Sequence, residues 1–150
     1  SNEIRLGNSS ITSARIQVPW TITSDLRWKE NIAPSKLGLA FLMNVEAVEY
    51  NRQNAESNSK EIGFIAQDVA KLLKTSNRNG YGLLNQDGNG YYELRYNDFI
   101  AIMVKALQEQ QTLIEEQQEK ISELVELKKQ QKEIMMQLDI LSEQLTRNGN

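Results

Sequence analysis

The sequence predicts an α+β chain: a small mixed core domain with an N-terminal β-strand segment and a long, self-associating C-terminal helix. Three observations predict this. Residues 1–23 alternate apolar and polar side chains. Residues 24–96 hold most of the aromatic residues, spaced between turn signals. Residues 97–147 contain no Gly or Pro and are dense in Gln, Glu, Lys, Leu and Ile. The expected organisation is therefore 1–23, 24–96 and 97–150.

The first segment reads as strand. Ile16, Val18, Trp20 and Ile22 alternate with Gln17, Pro19, Thr21 and Thr23, the period of two of a half-buried strand. Pro19 lacks an N–H and suits an edge or an interchain crossing. Gly7-Asn8 signals a turn after a short strand holding Ile4 and Leu6. So short a strand segment cannot cover its own apolar face, so cover must come from outside it.

In the middle segment, Ser24-Asp25 is placed to cap a short helical turn running to Lys29 and Glu30. Leu37 to Tyr50 reads as a helical turn followed by a strand over Val45–Tyr50. Residues 51–60 are polar and read as a loop or protruding tip. Ile62 to Ala66 reads as a strand, and Gln67-Asp68 opens a helix with Val69, Leu72 and Leu73 on one face. Gln86-Asp87-Gly88-Asn89-Gly90 is a hairpin turn between apolar runs, because Asp-Gly and Asn-Gly supply positive φ.

The last segment reads as one helix opened by Asn97 and Asp98. Val104, Gln111, Gln118 and Val125 recur every seven residues, with Leu107, Ile114 and Ile121 three residues after the first three. That is an a/d heptad seam. From Leu124 a second series follows through Leu127, Gln131, Ile134, Leu138, Leu141 and Leu145. The step of three from Ile121 to Leu124 predicts local overwinding or a bend. Gln111 and Gln118 either form hydrogen-bonded polar layers in a self-associated core or lie exposed on a helix packed on one side.

Composition then limits the chemistry. With no Cys and no His among 150 residues, disulfides, thiolate chemistry and the commonest general base and metal ligand are absent. The carboxylates are scattered, so no metal and no cofactor is expected. A net charge of −3 argues against a nucleic-acid surface. No apolar run reaches the roughly 18 residues of a membrane span, and residues 1–23 lack the pattern of a signal peptide. Asp87-Gly88-Asn89-Gly90 lacks the remaining positions of a calcium loop and reads as a turn.

One catalytic pairing survives: Ser24 with Lys29. A lysine serves as a base near neutral pH only when desolvation or a neighbouring cation lowers its ordinary pKa of about 10.4. Arg27 is a candidate for that cation and Trp28 for an apolar wall. Five helical residues subtend about 500°, so the two side chains meet only if Ser24 lies outside the helix. Read from the residues alone, a cap at Ser24 and a solvated Lys29 is the plainer alternative.

The run Ser24-Asp25-Leu26-Arg27-Trp28-Lys29-Glu30-Asn31-Ile32 resembles the opening signature of the endosialidase-type intramolecular chaperone domain. That family forms self-cleaving C-terminal domains of phage tailspikes and tail fibres, and occurs in some bacterial surface proteins and the myelin regulatory factor group. Ile62-Gly63-Phe64-Ile65-Ala66-Gln67-Asp68-Val69 resembles its second motif. Tyr96-Asn97-Asp98-Phe99-Ile100, leading to Ala106-Leu107 and a coiled coil, is a third match. Trp28, where the family often has an aliphatic residue, and a missing Pro after the second motif are departures. The resemblance spans about residues 24–125.

The resemblance implies a homotrimer. The C-terminal helices would form a trimeric coiled coil with Val104, Leu107, Gln111, Ile114, Gln118 and Ile121 in its core. The partner would be an upstream β-helical fibre of the same chain, of which residues 1–23 are the end. It implies Ser24 as nucleophile, Lys29 as base and Thr23–Ser24 as the scissile bond. It implies orienting or structural roles for Asp25, Arg27, Ile32, Gly63, Phe64 and Gln67, and a phage tail fibre or tailspike precursor as the setting, with a bacterial surface as the alternative. A non-catalytic trimerisation and capping module is the competing reading. A generic coiled-coil adaptor would explain the helix but not the Gly-Phe-Ile-Ala-Gln block.

Overall fold

The computed structural model describes residues 4, 6–7, 11, 13–53 and 59–148. In chain order they form a 3₁₀ turn (Leu26–Trp28), α1 (Leu39–Leu42), β1 (Val48–Tyr50), β2 (Glu61–Gly63), α2 (Ala66–Thr75), β3 (Leu84–Gln86), β4 (Tyr92–Leu94) and α3 (Asp98–Asn148). β1 pairs antiparallel with β2 and β3 with β4, as two separate hairpins. This is the α+β class with a long terminal helix.

Each element has a local cause. The β3–β4 turn is built on Asp87, whose Oδ1 accepts the N–H groups of Asn89 (2.9 Å) and Tyr91 (2.8 Å), while Gly90 takes a φ of 87° that costs glycine little. α2 buries Val69 and Leu73, one turn apart on a single face. It ends with Asn77 in the left-handed region at φ 52°. Arg78 N–H donates to Leu73 O at 2.8 Å and Asn77 N–H to Lys74 O at 3.1 Å, a Schellman ending with Asn in the usual glycine place.

The core is one cluster of Leu37, Phe41, Val69, Leu73, Leu83, Phe99 and Ile102. The first turns of α3 close it, with α1 lying along them. α1 has no side-chain cap of its own. Instead Glu109, on α3, accepts the Leu39 N–H at 2.7 Å, satisfying an otherwise orphaned helix-start donor. A Cβ at Gly38 would meet the Glu109 carboxylate and push it aside, so glycine leaves room for this contact.

A second fixed point joins the strand end to α3. Phe64 stacks on Phe99 with ring centroids 4.8 Å apart and on Tyr96 at 5.6 Å. The Tyr96 hydroxyl accepts the Phe64 N–H at 3.1 Å. Gly63 makes room for that hydroxyl, since a Cβ there would stand 2.5 Å from Tyr96 Oη.

α3 is 51 residues, about 75 Å long, and is two-faced. Phe99, Ile102 and Ala106 are buried against the core. The heptad residues Val104, Leu107, Ile114 and Ile121 are exposed, Leu107 to 64% and Ile114 to 51%. At 100° per residue the two stripes lie about 110° apart, so the core does not use the seam.

Several sequence expectations are corrected. The strand expected over Ile62–Ala66 is Glu61–Gly63, and helix begins at Ala66, because Ile65, Val69 and Leu72 belong to a helical spacing rather than an alternation. The strand expected from Val45 begins at Val48. The apolar run expected before the hairpin turn pairs from Leu84. No strand forms among the described residues before Ser24, and the chain bends at Gln17–Val18, because a lone alternating segment has no neighbour to complete its ladder. Asn8 of the expected turn and residues 54–58 of the expected loop lie outside the described residues.

Candidate functional site

The candidate site is the 3₁₀ turn at Leu26–Trp28 and the residues that flank it. Asp25 caps the 3₁₀ turn with β-region dihedrals, φ −65° and ψ 139°. Its Oδ1 accepts the Arg27 N–H at 2.9 Å, as short polar residues do at helix starts. The chain leaves the turn at Lys29, whose dihedrals (φ −120°, ψ 136°) are extended and whose N–H donates to Leu26 O at 3.0 Å. Ser24 precedes the cap and Lys29 follows the turn, so both flank the helical residues. The angular objection to their meeting is thereby removed: Lys29 Nζ donates to Ser24 Oγ at 2.8 Å.

Around this pair the charges are arranged unexpectedly. The Arg27 guanidinium closes on both Asp25 oxygens, Nε to Oδ1 at 2.9 Å and the terminal nitrogen to Oδ2 at 2.8 Å, the two-pronged geometry that makes arginine–carboxylate pairs specific. Hydrogen bonds from the Arg27 side chain and then its backbone hold the Asp25 carboxyl below its ordinary range, and Asp25 in turn raises Arg27. The expectation that Arg27 acts as a free cation beside Lys29 is corrected: its charge is committed to Asp25. Trp28 is 80% exposed, so it builds no packed apolar wall in the single chain. Ser24 and Lys29 are exposed, as is Thr23.

The other expected residues fall into separate groups. Ile32 is exposed just after Asn31, whose φ of 52° turns the chain. Gly63 and Phe64 belong to the aromatic contact with Tyr96 and Phe99 described above, away from the Ser24 turn in sequence. Gln67 is exposed on α2. Val104, Leu107, Gln111, Ile114, Gln118 and Ile121 lie exposed along α3, with Gln111 Nε2 donating to Glu115 Oε1 at 2.8 Å. Among the described residues no group of acidic side chains is placed to hold a metal ion, and no helix is long and apolar enough to cross a membrane.

Sequence reasoning missed the partners that make the motifs intelligible. Glu109 was hidden by the heptad reading of α3, although Phe99, Ile102, Ala106 and Glu109 keep a 3–4 spacing of their own. The Tyr96 contact to Phe64 spans 32 positions and left no local signal.

No curated protein matches the chain. Residues 24–77 match the sequence profile of the Peptidase_S74 family, described as chaperone of endosialidase. The match begins at Ser24, takes in the turn, α1, both strands of the first hairpin and α2, and ends before the second hairpin. The family's description supports a chaperone role and its name a peptidase kind. Residues 24–77 are thus similar to the chaperone-of-endosialidase family that the chain's motifs resemble.

Proposed function

We propose that this chain is a homotrimeric intramolecular chaperone for an upstream β-helical fibre of the same chain, and that it releases itself by cutting Thr23–Ser24. The setting would be a phage tailspike or tail fibre precursor. The observation that carries the cut is the 2.8 Å separation of Lys29 Nζ and Ser24 Oγ, held by a turn at the first residue of the family match.

The chemistry follows from that geometry. Neutral Lys29 takes the Ser24 hydroxyl proton as Oγ bonds to the Thr23 carbonyl carbon through a five-membered ring. The C–N bond then breaks as the proton passes to the Ser24 nitrogen, leaving an ester. Water adds to the ester, and the products are a Thr23 carboxylate and a Ser24 with free amine and hydroxyl. The nucleophile and carbonyl are neighbours in one chain, so proximity replaces substrate binding. The reaction turns over once.

Assembly is supported by surface. The chain exposes 14,040 Å² at 17.2 kDa, whereas a compact monomer of that mass exposes about 7,800 Å². The excess includes the apolar seam of α3 and the exposed Ile16, Val18, Trp20 and Ile22, which two further copies would cover. Covering the turn in the assembly would also supply the desolvation that a lysine base requires, so cutting would follow correct trimerisation.

The test is mass spectrometry with denaturing gels on the wild type, Ser24→Ala and Lys29→Ala. The reading expects a fragment beginning at Ser24 from the wild type and none from either variant. Unchanged cutting in Lys29→Ala contradicts the dyad. Full-length chain alone from a wild-type trimer favours the second reading, a non-catalytic trimerisation and capping module. That reading is kept by the exposure of both dyad residues in the single chain.

A further inference from the structure

We infer that Arg27 is a positioning residue for this cut: it holds the Asp25 carboxylate away from Lys29 while closing the turn that brings Lys29 onto Ser24. This rests on the dyad reading above. The turn contains one serine, one carboxylate and two cations within six residues, Ser24 to Lys29. Their pairing decides the chemistry. A carboxylate near an ammonium keeps it protonated, because the opposite charge favours the charged form. A protonated lysine cannot accept the Ser24 proton.

Asp25 is the residue next to the serine that Lys29 touches, and so the carboxylate best placed to capture it. The structure gives that carboxylate to Arg27 instead. Both of its oxygens are engaged by the guanidinium, and Oδ1 also accepts the Arg27 N–H. Lys29 is left with a hydroxyl. An arginine suits this task better than a lysine, because its planar fork occupies both oxygens at once and keeps its proton at any relevant pH. The charged groups beside Lys29 are those of its own turn and the next residue: Asp25, Arg27 and Glu30. No other described element packs extensively against the turn, so this local pairing dominates the choice.

The same contacts have a structural role in capping the turn, and the two roles separate by pH. The experiment compares the wild-type precursor with Arg27→Gln and with the double variant Asp25→Asn/Arg27→Gln. Each is isolated uncut in urea and refolded by dilution between pH 6 and 10. Cutting rates are read on denaturing gels and trimer content by light scattering. With Arg27→Gln the pH of half-maximal cutting is expected to rise by about one unit, since the freed carboxylate now faces Lys29. The double variant removes both charges while Asn still offers a capping oxygen, and its midpoint is expected to return to the wild-type value. A midpoint that does not move in Arg27→Gln, or that the double variant does not restore, overturns the inference. So does loss of cutting in both variants while trimer content is unchanged. These failures leave the dyad standing if Lys29→Ala, run alongside, still abolishes cutting; cutting by Lys29→Ala overturns the dyad instead.

Discussion

The aromatic contact at Gly63-Phe64 and the Ser24–Lys29 turn are both built from motif residues, yet they differ in how much of their environment one chain provides. Around Phe64 everything is present. Tyr96 caps its N–H, Phe99 stacks on its ring and is 3% exposed, and Gly63 admits the hydroxyl. At the turn the contacts are equally specific, but the serine and lysine lie open. The first is a complete piece of folding and the second a geometry awaiting cover. This division is what a domain that folds alone but reacts only when assembled would need.

The comparison can be broken most severely at the turn. Ser24→Ala and Lys29→Ala are each expected to lower cutting by at least about a hundredfold, the lower end of what a positioned base contributes. Thermal melts followed by circular dichroism should be unchanged for both, since neither residue touches the core. A large fall in Tm would tie the turn to the fold and erase the distinction.

The converse change belongs to the core. Phe99→Ala removes a buried ring that both α3 and Phe64 depend on, and should cost about 3–5 kcal/mol in urea unfolding. Gly63→Ala displaces the Tyr96 hydroxyl and leaves the Phe64 N–H without its acceptor, for about 1–3 kcal/mol. If Gly63→Ala were neutral, the close approach of Tyr96 would not be what the glycine is for.

The outer stripe of α3 sharpens the contrast from the other side. Ile114→Asp places a charge in the seam but outside the core. It is expected to reduce the light-scattering mass from trimer to monomer, and to suppress cutting with it. A trimeric Ile114→Asp would remove the seam from the account.

The smallest effect concerns the α1 anchor. The Leu39 N–H, with Lys105 nearby, holds the Glu109 carboxyl below its ordinary range. The folded state therefore gives up this proton more readily than the unfolded chain, and the contribution is full above about pH 4.5, the ordinary glutamate value. It is lost as pH falls through the lower folded value. Glu109→Gln should flatten the loss of stability on acidification in that window, as read from urea midpoints at pH 5, 4 and 3. An unchanged slope would mean that the carboxylate is not the operative cap.

How much of this was legible in the sequence depends on how local each cause is. The long helix, the Asp87–Gly90 hairpin turn and the apolar face of α2 were readable, since each is set by residues within a few positions. So was the pairing of Ser24 with Lys29, as a conditional: it required both to stand outside the helical residues, and the cap at Asp25 provides that. The pairing of Arg27 with Asp25 is not visible in a sequence, which shows its charge and not its partner. The strand at Ile62 was drawn too long because Ile65 suits either period until α2 is seen to use it. The second face of α3 was obscured by the stronger heptad signal. The contacts of Glu109 with Leu39 and of Tyr96 with Phe64 join residues 70 and 32 positions apart, and only the folded chain brings them together.

The central claim is that the Ser24 hydroxyl, activated by Lys29, cuts the bond before it. The most direct test is the intact mass of the assembled wild-type protein alongside Lys29→Ala under identical refolding. The account predicts a wild-type C-terminal fragment whose first residue is Ser24, and a Lys29→Ala trimer that stays full length. The same fragment accumulating at the same rate from Lys29→Ala would contradict it.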